Sequence, residues 1–157
     1  MATLAGFVTI NRMKKNQLAA HTPCPCASDQ TYVKCCGPFH RAMARESAID
    51  GSLSEPLDAP TPEVLMRARY SAYALGLIEY LLATWHPSTS PGELELSPVK
   101  WLGLEVKEHQ SSGDAGVVEF VARYRVDGRA HRMHEISRFV REQGKWFYID
   151  GQVLEPD

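Results

Sequence analysis

The chain has no cysteine outside one short stretch: all four lie between positions 24 and 36 of 157 residues. Thiols confined in this way are a local device, which excludes a disulfide network as the general means of holding the chain together. No apolar run approaches the ~20 residues a spanning helix needs, and Leu4 to Ile10 is too short and lacks the basic leader of an export signal. Neither sign of charge dominates. With 17 basic against 19 acidic side chains and a net charge of -2, there is no global basic field to hold a nucleic acid or an anionic membrane, although a local patch is not excluded. Internal repeats and low-complexity tracts are also missing. A soluble, cytoplasmic protein is the expectation. The 44% hydrophobic content suffices for one compact domain plus a small appendage.

Residues 1–21 show no periodicity and read as a disordered or variable tail, with Met13, followed by Lys14 and Lys15, as an alternative natural start. Residues 22–46 hold the cysteines and a short helix over Pro38 to Glu46. Residues 47–61 read as a linker, because Gly51, Ser52, Ser54, Pro56 and Pro60 interrupt both helix and strand. The second domain is expected over residues 62–157. Thr61 can cap a helix whose first residue is Pro62 and whose stop is Gly76. Leu77 to His86 places Ile78, Leu81, Leu82 and Trp85 on one helical face, and Pro87 ends it.

Four strands follow: Trp101 to Lys107, Val117 to Val126, His131 to Glu142 and Lys145 to Val153, rich in Val, Ile and aromatics between Gly-containing turns. They predict an antiparallel meander and an α+β fold. A two-residue turn at Gln143-Gly144 pairs Glu142 with Lys145, Val140 with Phe147, Phe139 with Tyr148 and Ser137 with Asp150. For the preceding hairpin, a three-residue loop Asp127-Gly128-Arg129 sets Phe120 opposite Ile136 and avoids placing Arg123 against Arg132.

Cys24-Pro25-Cys26, eight residues, then Cys35-Cys36 supplies four soft ligands for a tetrahedral zinc site. Four sulfurs close the shell and leave no position for an activated water, so such zinc is structural. Two short-loop disulfides and a redox-active or nucleophilic thiol, with His21 or His40 as base, use the same residues.

On the predicted register, Arg123, Glu135, Ser137 and Asp150 share one sheet face with aromatics, and Arg67 and Tyr70 on the first helix close over it. Charges mixed with aromatics suit a semi-enclosed pocket, read either as a small-ligand site or as a buried ion network. No catalytic triad is recognisable.

CPCASDQTYVKCCG resembles the SEC-C zinc motif, best known from the C-terminal tail of the SecA translocation ATPase. MRARYSAYALG, TWHP, WLGLEV and HEISRF resemble the YchJ family of small bacterial proteins, and the resemblance covers residues 22 to about 150. It implies a SEC-C finger followed by a cone-shaped, curved antiparallel sheet covered by helices, similar to nuclear transport factor 2. Ala27 and Asp29 stand where the family usually has glycine, the loop keeps only Lys34, and a second C-terminal finger found in some members is absent here. What the resemblance implies is a docking element for a protein or ribonucleoprotein partner; from the charge balance, neither membrane nor direct DNA binding is expected. A ligand carrier or enzyme using the cone cavity is the rival, and a thiol redox sensor a third.

Overall fold

A computed structural model describes residues 21–46 and 58–154. The expected tail, apart from His21, and positions 47–57 of the expected linker lie outside the described residues. Helix α1 spans Gly37–Glu46, directly after the last cysteine. Helix α2 spans Pro62–Leu75. It begins as the sequence predicts, for Thr61 Oγ1 accepts a hydrogen bond from the Val64 amide at 3.1 Å and proline occupies the first turn. It also ends as predicted, at Gly76 in the left-handed region (φ 75°).

Helix α3 covers only Ile78–Ala83. The predicted continuation to His86 fails because the chain leaves the helix to pair with a strand: the Tyr148 amide donates to Thr84 O and the His86 amide donates to Tyr148 O, each at 2.8 Å. His86 is therefore not a helix-terminal residue; its Nε2 lies 3.0 Å from Glu142.

Strands β1 (Lys100–Ser112), β2 (Ala115–Val126), β3 (Arg129–Glu142) and β4 (Lys145–Leu154) form one antiparallel sheet in sequence order. The meander is as expected. β1 runs five residues beyond its predicted end, through polar side chains whose sequence carries no strand pattern. Two registers differ from expectation. Asp127 and Gly128 both take positive φ (50° and 80°), giving a two-residue turn whose twist suits the flanking strands. Phe120 therefore faces Glu135, and Arg123 lies directly opposite Arg132. In the last hairpin Glu142–Lys145, Val140–Phe147 and Phe139–Tyr148 pair as predicted, but a bulge shifts Asp150 to Arg138 and leaves Ser137 opposite Gly151.

One sheet face carries Leu104, Val118, Phe120, Ala122, Phe139 and Trp146 against Leu65, Ala68, Tyr70 and Ala72 of α2 and Leu81 of α3. Leu65 and Leu81 are wholly enclosed, and burying each contributes about 2 kcal/mol. Helix α2 approaches closely at Gly116, where a Cβ would sit 2.3 Å from Pro62 Cγ. The same apolar cluster runs without a break into the cysteine segment, through Cys24, Cys26, Tyr32 and Cys36. Among the described residues no helix is long and apolar enough to cross a membrane.

Candidate metal centre

The cysteines converge because the loop between them folds back on itself. The Cys24 amide donates to Gln30 O at 2.9 Å and the Tyr32 amide to Thr22 O at 2.8 Å, a short ladder that aligns the two halves. Ala27 and Asp29 turn the chain between them with φ of 62° and 68°. Both sit in the left-handed region where glycine costs nothing and other residues cost roughly 1–2 kcal/mol. A 3-10 turn at Tyr32–Lys34 then delivers Cys35 and Cys36 to the start of α1, whose free amide groups favour negative charge.

The four Sγ atoms lie within 4.8 Å of one another, and all four thiols are free. Cys26 Sγ is 3.5 Å from Cys35 Sγ, which is 3.9 Å from Cys36 Sγ. Four bonds of about 2.3 Å in a tetrahedron set sulfurs about 3.8 Å apart, so the spacing fits a four-thiolate metal ion. Cys24, Cys26 and Cys36 are buried and Cys35 is half-buried, so the shell is closed to substrate. Protonation follows position. Hydrogen bonds from Cys26 and Cys36 hold the Cys24 thiol far below its ordinary range, bonding to Cys24 and Cys26 pushes Cys36 far up, and burial raises Cys35 to about 11. A metal ion entering this cluster displaces the remaining protons.

Sequence reasoning missed what surrounds the sulfurs. Ser71 of α2 donates its hydroxyl to Cys36 Sγ at 3.3 Å and lies 3.5 Å from Cys24 Sγ, while Ser28 Oγ is 3.0 Å from Cys35 Sγ. His40 of α1 donates from Nε2 to Ala68 O at 2.9 Å, so its Nδ1 accepts the Tyr32 hydroxyl at 2.7 Å. The finger is thus pinned to α2 at successive turns. A serine inside a helix gives no signal of this kind, since its role is set by a partner 35 residues away.

The residues predicted to line a pocket are not brought together. Arg67 turns to the finger, donating to Cys26 O at 3.0 Å. Tyr70 is buried edge-on against Trp101, and burial raises its hydroxyl to about 12. Glu135 and Ser137 do share the helix-facing side of the sheet, joined by a 2.9 Å hydrogen bond. Arg123 and Asp150 project from the opposite side, the first by the tighter turn and the second by the bulge. Asp150 takes a two-pronged bond from Arg138, which holds its carboxyl below the usual range. The cation on the helix-facing side is instead Arg69, buried between the Trp85 and Tyr148 rings at 5.1 and 4.5 Å and donating to Leu81 O and Thr84 Oγ1.

Fold and site together define a class: a SEC-C-type cysteine finger docked on an α+β domain like nuclear transport factor 2. Residues 61–151 match the family described as YchJ, middle NTF2-like domain. Curated UPF0225 proteins are similar over nearly their whole length. The one from Methylibium petroleiphilum is 49% identical over 87% of this chain and 93% of its own, and the one from Bordetella pertussis 48% identical over 90% and 99%. The chain belongs to this YchJ (UPF0225) family. Two solved SEC-C motif containing proteins share the fold: one from Rhodopseudomonas palustris (TM-score 0.68, 32% identity, 84% of this chain and 98% of that one) and one from Psychrobacter arcticus (TM-score 0.69, 27% identity, 90% and 88%).

Proposed function

We propose that this chain is a zinc-stabilised docking protein, in which the SEC-C finger recruits a protein or ribonucleoprotein partner and the α+β domain is its scaffold. The observation that carries the reading is the closed, buried quartet of sulfurs. Soft thiolates at tetrahedral spacing select zinc, and a filled four-ligand shell polarises no substrate and activates no water. What a metal does here is hold shape, and a finger of fixed shape is suited to recognition.

Elemental analysis of gently purified protein is the first test: one zinc per chain is expected, and metal-free protein with four titratable thiols would overturn the reading. Capture from lysate with intact protein and with Cys35→Ser is the second. Partners held by the intact chain and lost with the metal support docking through the finger; identical sets would refute it.

A second reading, a small-ligand protein, draws on the helix-facing side of the sheet. There the Trp85 Nε1 is buried without a partner beside Arg69, for which no carboxylate lies within 4 Å among the described residues. A thermal-shift screen of metabolites against intact protein and Glu135→Gln decides it, with no hit on either overturning it.

A further inference from the structure

The tight turn at Asp127-Gly128 creates an arrangement that the sequence argues against. Arg123 on β2 faces Arg132 on β3, and in the next row Lys100 on β1 faces Arg125. Cross-strand partners share a face, and so do positions two apart, so these four cations occupy one side of the sheet, away from α2. Arg129, opposite Val126 at the turn, points to the other side, that of His131, and all five are exposed. Like charges placed directly opposite destabilise a strand pair, by roughly 0.2–1 kcal/mol each. Elsewhere the same sheet relieves its charges: Arg138 is paired with Asp150, Arg141 with Asp114, and Glu119, which stands opposite Glu108, with His134. Among the described residues none of the five has a carboxylate within 4 Å. Glu105, on that face and within electrostatic reach of Arg123 and Arg132, is bound instead to Lys107 at 3.0 Å. Stability alone would replace one member of each pair with an acid, so the arrangement calls for an anionic partner.

We propose that this end of the β2–β3 hairpin is a docking surface for the phosphate backbone of single-stranded RNA. Cations sit about 5 Å apart across strands and about 7 Å apart along them, a grid that a repeating polyanion can span and a lone phosphate cannot. Four of the five are arginines, whose planar forks grip phosphate oxygens in pairs. On the other, helix-facing side of the sheet, Tyr124 and exposed His131 stack at 5.3 Å and 20°, with Trp101, packed against Tyr70 and Tyr73 of α2, 5.5 Å from Tyr124. Only a flexible strand can round the hairpin tip past Arg129 and lay a base on exposed His131, which distinguishes a single strand from a rigid duplex or an acidic protein. The relatives are bacterial, and RNA is the abundant single strand in such cells. The surface uses none of the metal-centre residues and does not rest on the finger's role.

The test is fluorescence anisotropy of labelled oligouridylate with the full, metal-loaded chain over about 50–200 mM salt. The expected log–log salt slope is about -3, from four phosphate contacts. Arg123→Glu, which sets an acid opposite Arg132, should weaken binding about tenfold and shrink the slope by about one, with thermal stability kept or raised. Arg132→Gln should weaken binding too, without adding an acid. Lys145→Glu makes the same charge change at the other hairpin and should leave affinity alone. No binding at the lowest salt, equal loss in Lys145→Glu, or tighter binding of polyglutamate, duplex or oligodeoxythymidylate would each overturn the proposal. Loss of lysate partners in Cys35→Ser with RNA affinity intact would show the finger and this surface acting separately.

Discussion

Two regions of the molecule handle polar groups in opposite ways. Where the finger meets α2, the Ser71 hydroxyl, His40 Nε2 and the Arg67 guanidinium all find partners across the junction, and His40 Nδ1 is satisfied within the finger by the Tyr32 hydroxyl. At the end of the β2–β3 hairpin, Arg123 faces Arg132 and Lys100 faces Arg125, and among the described residues no acid is paired with any of the four. The first region is organised inward, around a centre that a metal completes. The second is organised outward and is complete only with something it does not contain. A satisfied network argues for a structural role, and an unsatisfied exposed one for recognition.

The comparison breaks most readily at the sulfurs. Cys36→Ser should abolish stoichiometric zinc and cost several kcal/mol, because metal binding in small fingers is folding energy. Hydrogen exchange should show the amides of residues 22–41 losing protection while those of β2 and β3 keep theirs; equal loss in both would mean that the regions do not differ as described. Ser71→Ala sharpens it. Removing a hydroxyl that touches two sulfurs should lower zinc affinity about tenfold in competition with a chromophoric chelator and leave stoichiometry at one; unchanged affinity would remove α2 from the metal centre.

A gain is expected from Ala27→Gly, which relieves a left-handed residue and should raise finger stability by about 1 kcal/mol in chemical denaturation. Asp29→Gly should act likewise. The smallest effect concerns His40, where burial lowers the ring's pKa below its usual value despite the Ala68 bond. A depressed histidine pKa means that the unfolded chain binds the extra proton. Its contribution is present above the unfolded value near 6.5 and is lost as pH falls through the lower folded value. The His40 ring resonances should therefore keep neutral shifts to lower pH than an imidazole of ordinary pKa.

Much of this was legible because it is local. Thr61, Pro62 and Gly76 fix a helix through their own hydroxyl, ring and missing side chain, and Gln143-Gly144 fixes a turn in the same way. The cysteine spacing gave the ligand set, since two tight pairs on one loop have few ways to converge. The rest depended on contacts remote in sequence. One extra residue near Ile149 sends Asp150 to the far face, and β4 draws Trp85 out of its helix. The Arg123 register failed for another reason. Charge repulsion argues against a two-residue loop, yet the preference of Asp-Gly for positive φ outweighs a pair penalty below about 1 kcal/mol.

The Ser71 hydroxyl, lodged between two sulfurs, has a consequence for how such chains can be recombined. A chimaera that grafts a relative's finger onto this sheet inherits a socket shaped by helix α2, and the graft should take only when residues 67–71 travel with it.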